Sequence, residues 1–581
     1  MSWRDLGAGE LRSEHAGERH TLAGWVGRRR DHGGLVFIDL RDSTGVGQLV
    51  VNPERSPEAA KAAHDIRNEF VLRTTGEVTA RAPEHVNPSL PTGEVELQVD
   101  ELEVVSTSPP LPFQLDEENV DETLRIRYRW LDLRRERLQR NIRLRAQAVS
   151  IIRREMEAAG FVDIETPIMA KPTPEGARDF LVPTRLQKGR FFALPQSPQI
   201  YKQLLVISGF ERYYQIARCF RDEDVRADRV QELTQLDVEM AFPNREYIFE
   251  LIERTFSAVW RETTGEELPT PFPRMLYAEA MSRYGSDKPD LRFGLEIEDA
   301  TDATRTSEFK VFAQSPAVRF LRVPQELSRA DLEKLEEFAK EWGAKGLAYI
   351  VYGDDGEPRS PIAKFLSEAE LGVFRSDPGT TVLFVADRPE VVARVLGNVR
   401  LRIGNELVLI EQGAWRPLWV TDFPMFDWDE DEGRWKANHH PFTAPTPESE
   451  GMLEKDPGRA IAQAYDFVLN GNELGSGSIR IHRPEVQQRV FALLDISPEE
   501  QRSRFGFLLD ALAMGAPPHG GIAPGIDRTL MVLAGEPNLR DVIAFPKNQA
   551  GFDPMSGAPS DVPTEQLDEL GIQLKPEKNK S

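Results

Sequence analysis

The stretch Tyr213–Glu239, YYQIARCFRDEDVRADRVQELTQLDVE, decides how the rest of this 581-residue chain is read. It opens with a half-apolar run at Tyr213, Tyr214, Ile216 and Ala217, and breaks into charge at Arg221, Asp222, Glu223 and Asp224. Alternation returns from Leu233 to Val238, so the pattern predicts two strands joined by a charged loop. A loop carrying both signs of charge between buried strands suits a ligand with anionic phosphates and a cationic group, because each charge finds a partner on leaving water. A solvated hairpin tip is the simpler account of charge alone, but the order of residues here is more particular than that account requires.

Outward from this stretch, no long apolar run interrupts the chain, so no membrane span or signal peptide is expected, and the length predicts several domains with substantial cores. The single cysteine, Cys219, excludes an intramolecular disulfide and a multi-cysteine zinc site and points to a reducing, cytoplasmic setting. The net charge of -23 is wrong for general polyanion binding, yet an average conceals local basic stretches, which are what contact phosphates.

The N-terminal residues 1–105 contain five short strand-like runs, Thr21–Val26, Leu35–Leu40, Gly47–Val51, Val71–Thr79 and Val95–Val104. They predict a small barrel, with an OB-fold as the natural nucleic-acid module. Arg28, Arg29 and Arg30 precede a turn at Asp31–Gly34 and a strand carrying Phe37. Such a cluster can hold a backbone and stack an unpaired base, though on pattern alone Phe37 serves equally as barrel core. A proline-rich and acidic hinge is expected at 106–122, followed by an arginine-rich segment from Arg125 to Arg145 that reads as one long amphipathic helix ending near Gly160. That helix suits a solvated, salt-bridged face as well as contact with a polyanion.

Three strings carry a family resemblance. FRDEDVRADR followed by TQLDVE resembles motif 2 of the class II aminoacyl-tRNA synthetases in its aspartyl form, GFVDIETP at Gly160–Pro167 resembles motif 1, and GIAPGIDR at Gly521–Arg528 resembles motif 3. The strings GRRRDHGGLVFIDLRD, QSPQIYKQL, NHHPFT and NELGSGSIR are similar to further aspartyl-type sequences. The resemblance implies a multidomain α+β protein with an N-terminal OB-fold β-barrel, an antiparallel-sheet class II catalytic domain at 123–287 and 413–560, an inserted α+β domain of bacterial type at 288–412, and a tail at 561–581. On pattern, the insert should contain strands at Val311–Arg322, Leu347–Tyr352 and Thr381–Ala386 and a helix at Ser328–Trp342.

The resemblance further implies ATP-dependent activation of L-aspartate and its transfer to tRNA(Asp), with Arg221 and Arg528 as the catalytic arginines. Glu175, Ser197, Gln199, Lys202, Arg221, Asp237, His439 and Arg480 would hold aspartate. ATP would meet Arg221, Asp222, Glu223, Gln231, Glu473, Gly525, Ile526, Asp527 and Arg528. Asp466 and Glu473 suit Mg2+, which prefers oxygen ligands and shares them with a nucleotide. The adjacent His439 and His440 point in different directions and lack a third ligand at zinc-like spacing.

By the same resemblance, Arg30, His32, Phe37 and Gln48 would read the anticodon. His32 stands where strict enzymes of this type tend to have leucine, so tRNA(Asn) is expected as a second substrate, its product amidated by a separate tRNA-dependent amidotransferase. The alternatives are a strict tRNA(Asp) enzyme and a non-catalytic tRNA-binding paralogue. A homodimer is expected through an apolar motif 1 face of Phe161, Ile164, Pro167 and Ile168. One departure stands out: the family string R-Q-P-E-F-T-Q is here RVQELTQ, so Leu233 replaces the aromatic that stacks on adenine, and any ATP contact by Val230 falls in doubt.

Overall fold

The computed structural model describes residues 3–172 and 176–575, and it divides into one unit ending at Val120 and another beginning at Asp121. In the first unit the strands Arg19–His32, Leu35–Asp42, Gly45–Val51, Val71–Ala80 and Val95–Ser106 close into a barrel in the order first, second, third, fifth, fourth. Strand alternation sends Val36, Ile38 and Leu40 into the barrel core with Leu22, Leu49 and Leu97. Phe37 has the opposite parity and is only half-buried on the outer face, so the core is built without it. His32 and Leu35 pair across a two-residue turn in which Gly33 and Gly34 have φ of +61° and +86°. Positive φ at both central positions is what such a hairpin turn demands, and this is why two glycines follow His32.

The second unit is organised on an eight-stranded sheet. Its order is Arg274–Leu276, Pro417–Thr421, Ala464–Leu469, Asn472–Ile479, His519–Pro524, Glu232–Ala241, Arg212–Phe220 and Val162–Asp163. The six inner strands are antiparallel and the two short edge strands pair in parallel. Helices Glu136–Ala158, Arg245–Thr264 and Ile526–Ala534 supply Ile152, Phe256, Trp260 and Leu530 to a core that also takes Leu236, Val238, Trp419 and Phe467 from the sheet. The two strands predicted in Tyr213–Glu239 are both present, in the register Tyr213↔Glu239.

The arginine-rich segment is not one helix. It breaks into Glu122–Arg127, Arg129–Asp132 and Glu136–Ala158. The fully buried Asp132 carboxylate collects Arg125, Arg129 and Arg135, while Arg129 donates to the carbonyls of Arg540, Ile543 and Ala544. Tertiary pairing of buried charge outweighs continuous helical bonding there, and apolar periodicity carries no sign of it. These arginines therefore neither form a purely solvated face nor are all free for an external polyanion.

A separate five-stranded sheet, in the order Glu298–Asp299, Ala317–Val323, Thr380–Asp387, Ala348–Tyr352, Pro358–Arg359, lies between Tyr284 and Trp415 in the chain. Helices Arg329–Glu341 and Pro389–Glu406 pack with it. The strand expected at Val311–Arg322 begins only at Ala317; Lys310–Gln314 is helical, with Phe312 buried on the other side of the sheet. The expected motif 1 face also needs correction. Phe161 is 4 % exposed and packs into the main core, whereas Val162, Ile168 and Met169 are about half exposed. No described helix is long and apolar enough to cross a membrane.

Candidate active site

The strand Glu232–Ala241 turns Leu236, Val238 and Met240 toward the core, and its other parity carries Leu233, Gln235, Asp237 and Glu239. The helix Gln199–Ile207 brings Lys202 over this face. Its ammonium donates to Asp237 Oδ1 at 3.0 Å and lies 3.5 Å from Glu239 Oε2. Arg480 completes the set, donating from Nε and Nη2 to Glu239 at 2.9 and 3.1 Å and from Nη1 to Ser478 Oγ at 2.7 Å. All four charged side chains are at most 2 % exposed, and two cations balance two anions, which is what makes such burial tolerable. Burial alone would raise the Glu239 carboxyl; Arg480 and Lys202 overcome it and hold it below the usual range.

Arg480 Nη1 also faces His440 Nε2 at 2.6 Å. The guanidinium donates there, and the Phe442 amide donates to Nδ1 at 3.2 Å, so donors face both ring nitrogens; burial followed by the Arg480 charge pushes His440 far below its ordinary pKa. Gly521 pairs with Glu239 across the sheet, and a Cβ at Gly521 would sit 1.9 Å from the Val238 carbonyl and 2.4 Å from Glu239 Oε2. Only glycine lets Glu239 occupy this place.

This floor opens into a cavity of about 500 Å³. Of the residues expected around aspartate, Ser197, Gln199, Lys202, Arg221, Asp237, His439 and Arg480 line it; Glu175 lies outside the described residues. The buried Nε2 of Gln199 has no partner among the described residues. Of the residues expected around ATP, Arg221, Glu223, Glu473, Gly525, Asp527 and Arg528 line the cavity. Asp222 is exposed with its amide donating to Arg178, Gln231 packs against Gly551, and Ile526 turns into the core. Asp527 is already engaged: one oxygen faces Arg145 at 2.5 Å and the other accepts the Thr234 amide at 2.7 Å. Val230 and Leu233 both form cavity wall.

Acid gathers at one corner. His439 Nε2 faces Asp466 Oδ1 at 3.2 Å, and Glu473 and Asp287 line the same cavity. Burial, then the Asp466 charge, raises both the Glu473 and the Asp287 carboxyls. For His439 burial works the other way, but Asp466, Glu473 and Asp287 outweigh it and raise the imidazole. Carboxylates strained by like charge, with oxygen donors only, fit a hard divalent cation such as Mg2+. Among the described residues no three side chains form a complete metal cage, so Asp466 and Glu473 would share the ion with phosphate oxygens and water.

Sequence reasoning missed Glu239, His440, Ser478 and Asp287. Period-two continuation from Asp237 would have found Glu239. Nothing local marks Asp287, a single acid in a loop far along the chain.

In the barrel unit, Arg30, His32 and Phe37 share the outward face. Arg30 pairs across the strands with Phe37 and His32 with Leu35. Arg30 Nη2 donates to Asp39 at 2.6 Å and to Gln48 Oε1 at 3.4 Å, and His32 is exposed at the tip. The four expected anticodon residues therefore lie in one neighbourhood.

Comparison with known proteins gives the class. Residues 121–549 match the family described as tRNA synthetases class II (D, K and N), and residues 20–105 match the OB-fold nucleic acid binding domain. An asparaginyl-tRNA synthetase from Pyrococcus horikoshii complexed with asparaginyl-adenylate shares the fold at TM-score 0.61 and 18% identity, covering 93% of this chain and 97% of that one. Among curated proteins, the Aspartate–tRNA(Asp/Asn) ligase of Saccharopolyspora erythraea is 51% identical over 98% of this chain and 96% of its own. The Aspartate–tRNA ligase of Staphylococcus carnosus is 48% identical over 99% of this chain and 100% of its own. The chain belongs to the aspartate–tRNA ligases of class II.

Proposed function

We propose that this chain activates L-aspartate with ATP to aspartyl-adenylate and transfers the aspartyl group to the 3′ end of tRNA(Asp), and of tRNA(Asn) as well. The observation that carries the amino-acid choice is the buried, charge-balanced floor of Lys202, Arg480, Asp237 and Glu239 at the base of the cavity. An aspartate side chain entering there accepts charge-assisted bonds from Lys202 and Arg480, whereas an asparagine amide brings no charge and turns its own NH2 toward them.

In the first step the aspartate α-carboxylate oxygen attacks the α-phosphorus in line and pyrophosphate departs. No protein nucleophile is needed, so the chain contributes positioning and charge neutralisation. Arg221 bridges the attacking carboxylate and the α-phosphate, Glu223 accepts from the adenine amino group, and Arg528 takes the γ-phosphate. Arg528 now donates to the carbonyls of Glu473 at 2.9 Å and Asp228 at 3.1 Å, contacts weak enough to exchange for phosphate. Mg2+ held by Asp466 and Glu473 would neutralise phosphate charge. In the second step the terminal 3′-hydroxyl attacks the adenylate carbonyl, loses its proton and releases AMP. Pyrophosphate exchange with each amino acid, followed by charging of purified tRNAs, tests the reading; exchange driven by an amino acid other than aspartate overturns it.

Leu233 stands half-buried on the wall where an adenine ring would lie. Leu233→Phe is expected to lower the KM for ATP by roughly two- to tenfold, the worth of an aromatic stack. Steady-state pyrophosphate exchange checks it, and an unchanged KM would place the base elsewhere.

The half-exposed Val162, Ile168 and Met169 beside motif 1 favour a homodimer, since a second copy covering them removes apolar surface from water. Sedimentation is expected to give about twice 65.7 kDa at micromolar concentration, and Ile168→Glu to shift it toward the single chain. A wild-type protein sedimenting as a single chain would count against this.

A further inference from the structure

Three consecutive carbonyl oxygens of the motif 2 loop are held from the motif 3 side. Arg226 O accepts from Arg540 Nη1 at 3.2 Å, Ala227 O from the Leu539 amide at 2.9 Å, and Asp228 O from Arg528 Nη2 at 3.1 Å. The third bond belongs to the arginine that the proposed reaction sends to the triphosphate. When Arg528 turns to phosphate, the first two of these three carbonyl contacts remain to hold the tip of the loop that bears Arg221 and Glu223. Arg540 is built to persist: it is 4 % exposed, and its Nε donates to Glu122 at 2.6 Å. Its own carbonyl is gripped by the buried Arg129, and its amide by Asn538 Oδ1 at 2.9 Å. The base of the loop is tied by the Arg221 amide to the Gln231 carbonyl at 2.9 Å and by the Asp222 amide to the Arg178 carbonyl at 3.1 Å, but its tip supplies little restraint of its own, because Asp224 and Arg226–Arg229 are exposed and are held by the Glu223–Arg229 ion pair and the Arg226–Arg229 turn bonds.

We infer that Arg540, oriented by Glu122, is a positioning residue that latches the motif 2 loop while Arg528 engages ATP. The inference rests on the functional reading above for its kinetic consequence but not for its structural one. Lysine at this position keeps the charge but has a single nitrogen head, which cannot bond Glu122 and the Arg226 carbonyl in the planar fork that arginine provides.

The test compares wild type with Arg540→Lys and Glu122→Gln, each confirmed folded by thermal unfolding. In Arg540→Lys the KM for ATP in pyrophosphate exchange is expected to rise roughly tenfold with the KM for aspartate unchanged, the loss of one charge-assisted bond. Trypsin is expected to cut after Arg226 or Arg229 several-fold faster, and Glu122→Gln to show a smaller change of the same kind. A folded Arg540→Lys with wild-type KM for ATP and wild-type cleavage overturns the latch, as does a parallel rise of both KM values without faster cleavage. If the wild type fails to exchange pyrophosphate with aspartate, the functional reading falls while the cleavage comparison still decides the latch.

Discussion

Arg480→Leu is expected to abolish aspartate activation, lowering kcat/KM for aspartate by about 10^4 or more, as sites built around a charged or hydrogen-bonded partner do when that partner is lost. The floor of the cavity is neutral as it stands, with Lys202 and Arg480 set against Asp237 and Glu239. Removing the guanidinium leaves a net negative charge where a third carboxylate, that of the substrate, must bind. The nearest remaining cation to Glu239 is the Lys202 ammonium at 3.5 Å, which already serves Asp237. An uncompensated buried carboxylate costs about 3–5 kcal/mol, so a companion variant is needed in case the leucine protein unfolds. Arg480→Lys retains the charge and should fold, but it loses the paired bonds to Glu239 and the bonds to Ser478 and His440. It is expected to raise the KM for aspartate by at least tenfold, with the KM for ATP little changed. Pyrophosphate exchange near the wild-type level in folded Arg480→Leu would remove the amino-acid assignment altogether.

The second large effect is on tRNA choice. Wild-type protein is expected to aspartylate both tRNA(Asp) and tRNA(Asn), and His32→Leu to lose tRNA(Asn) by at least tenfold while keeping tRNA(Asp). The two anticodons differ at the third base, C in one and U in the other, and an imidazole that can donate or accept through either nitrogen matches either pyrimidine edge, whereas leucine offers shape alone. His32 is exposed at the end of its strand, on the face of Arg30 and Phe37, so the ring is free to meet a base and its replacement disturbs no core. Relatives near half identity carry both kinds of name, Asp/Asn in Saccharopolyspora erythraea and aspartate alone in Staphylococcus carnosus. Overall similarity therefore does not rank the alternatives, and one exposed position is the more direct test. Charging of the two purified tRNAs by wild type and variant decides it: no aspartylation of tRNA(Asn) by the wild type sinks the idea.

The sequence by itself determined the elements whose signal is local. Five alternating runs placed all five barrel strands, and Tyr213–Glu239 placed two neighbouring strands of the main sheet, because a period of two is written directly into the residues of each strand. Gly33 and Gly34 announced their turn through the positive φ that only glycine adopts freely. Motif strings likewise carried Lys202, Asp237 and Arg480, three of the four charges on the cavity floor.

Tertiary structure alone decided the features that depend on partners distant in the chain. Phe37 was open between core and surface until barrel closure fixed its face, and Phe161 moved from an exposed face into the core. The arginine-rich helix was broken by Asp132 and by carbonyls near residue 543. Glu239, Asp287 and the Arg540 contact with the motif 2 loop are likewise meetings across up to some 300 residues. Composition and periodicity record what a residue prefers beside its neighbours in sequence. Where a buried charge finds its counter-charge is settled only when the chain closes, since desolvation penalises every arrangement that leaves the charge unpaired.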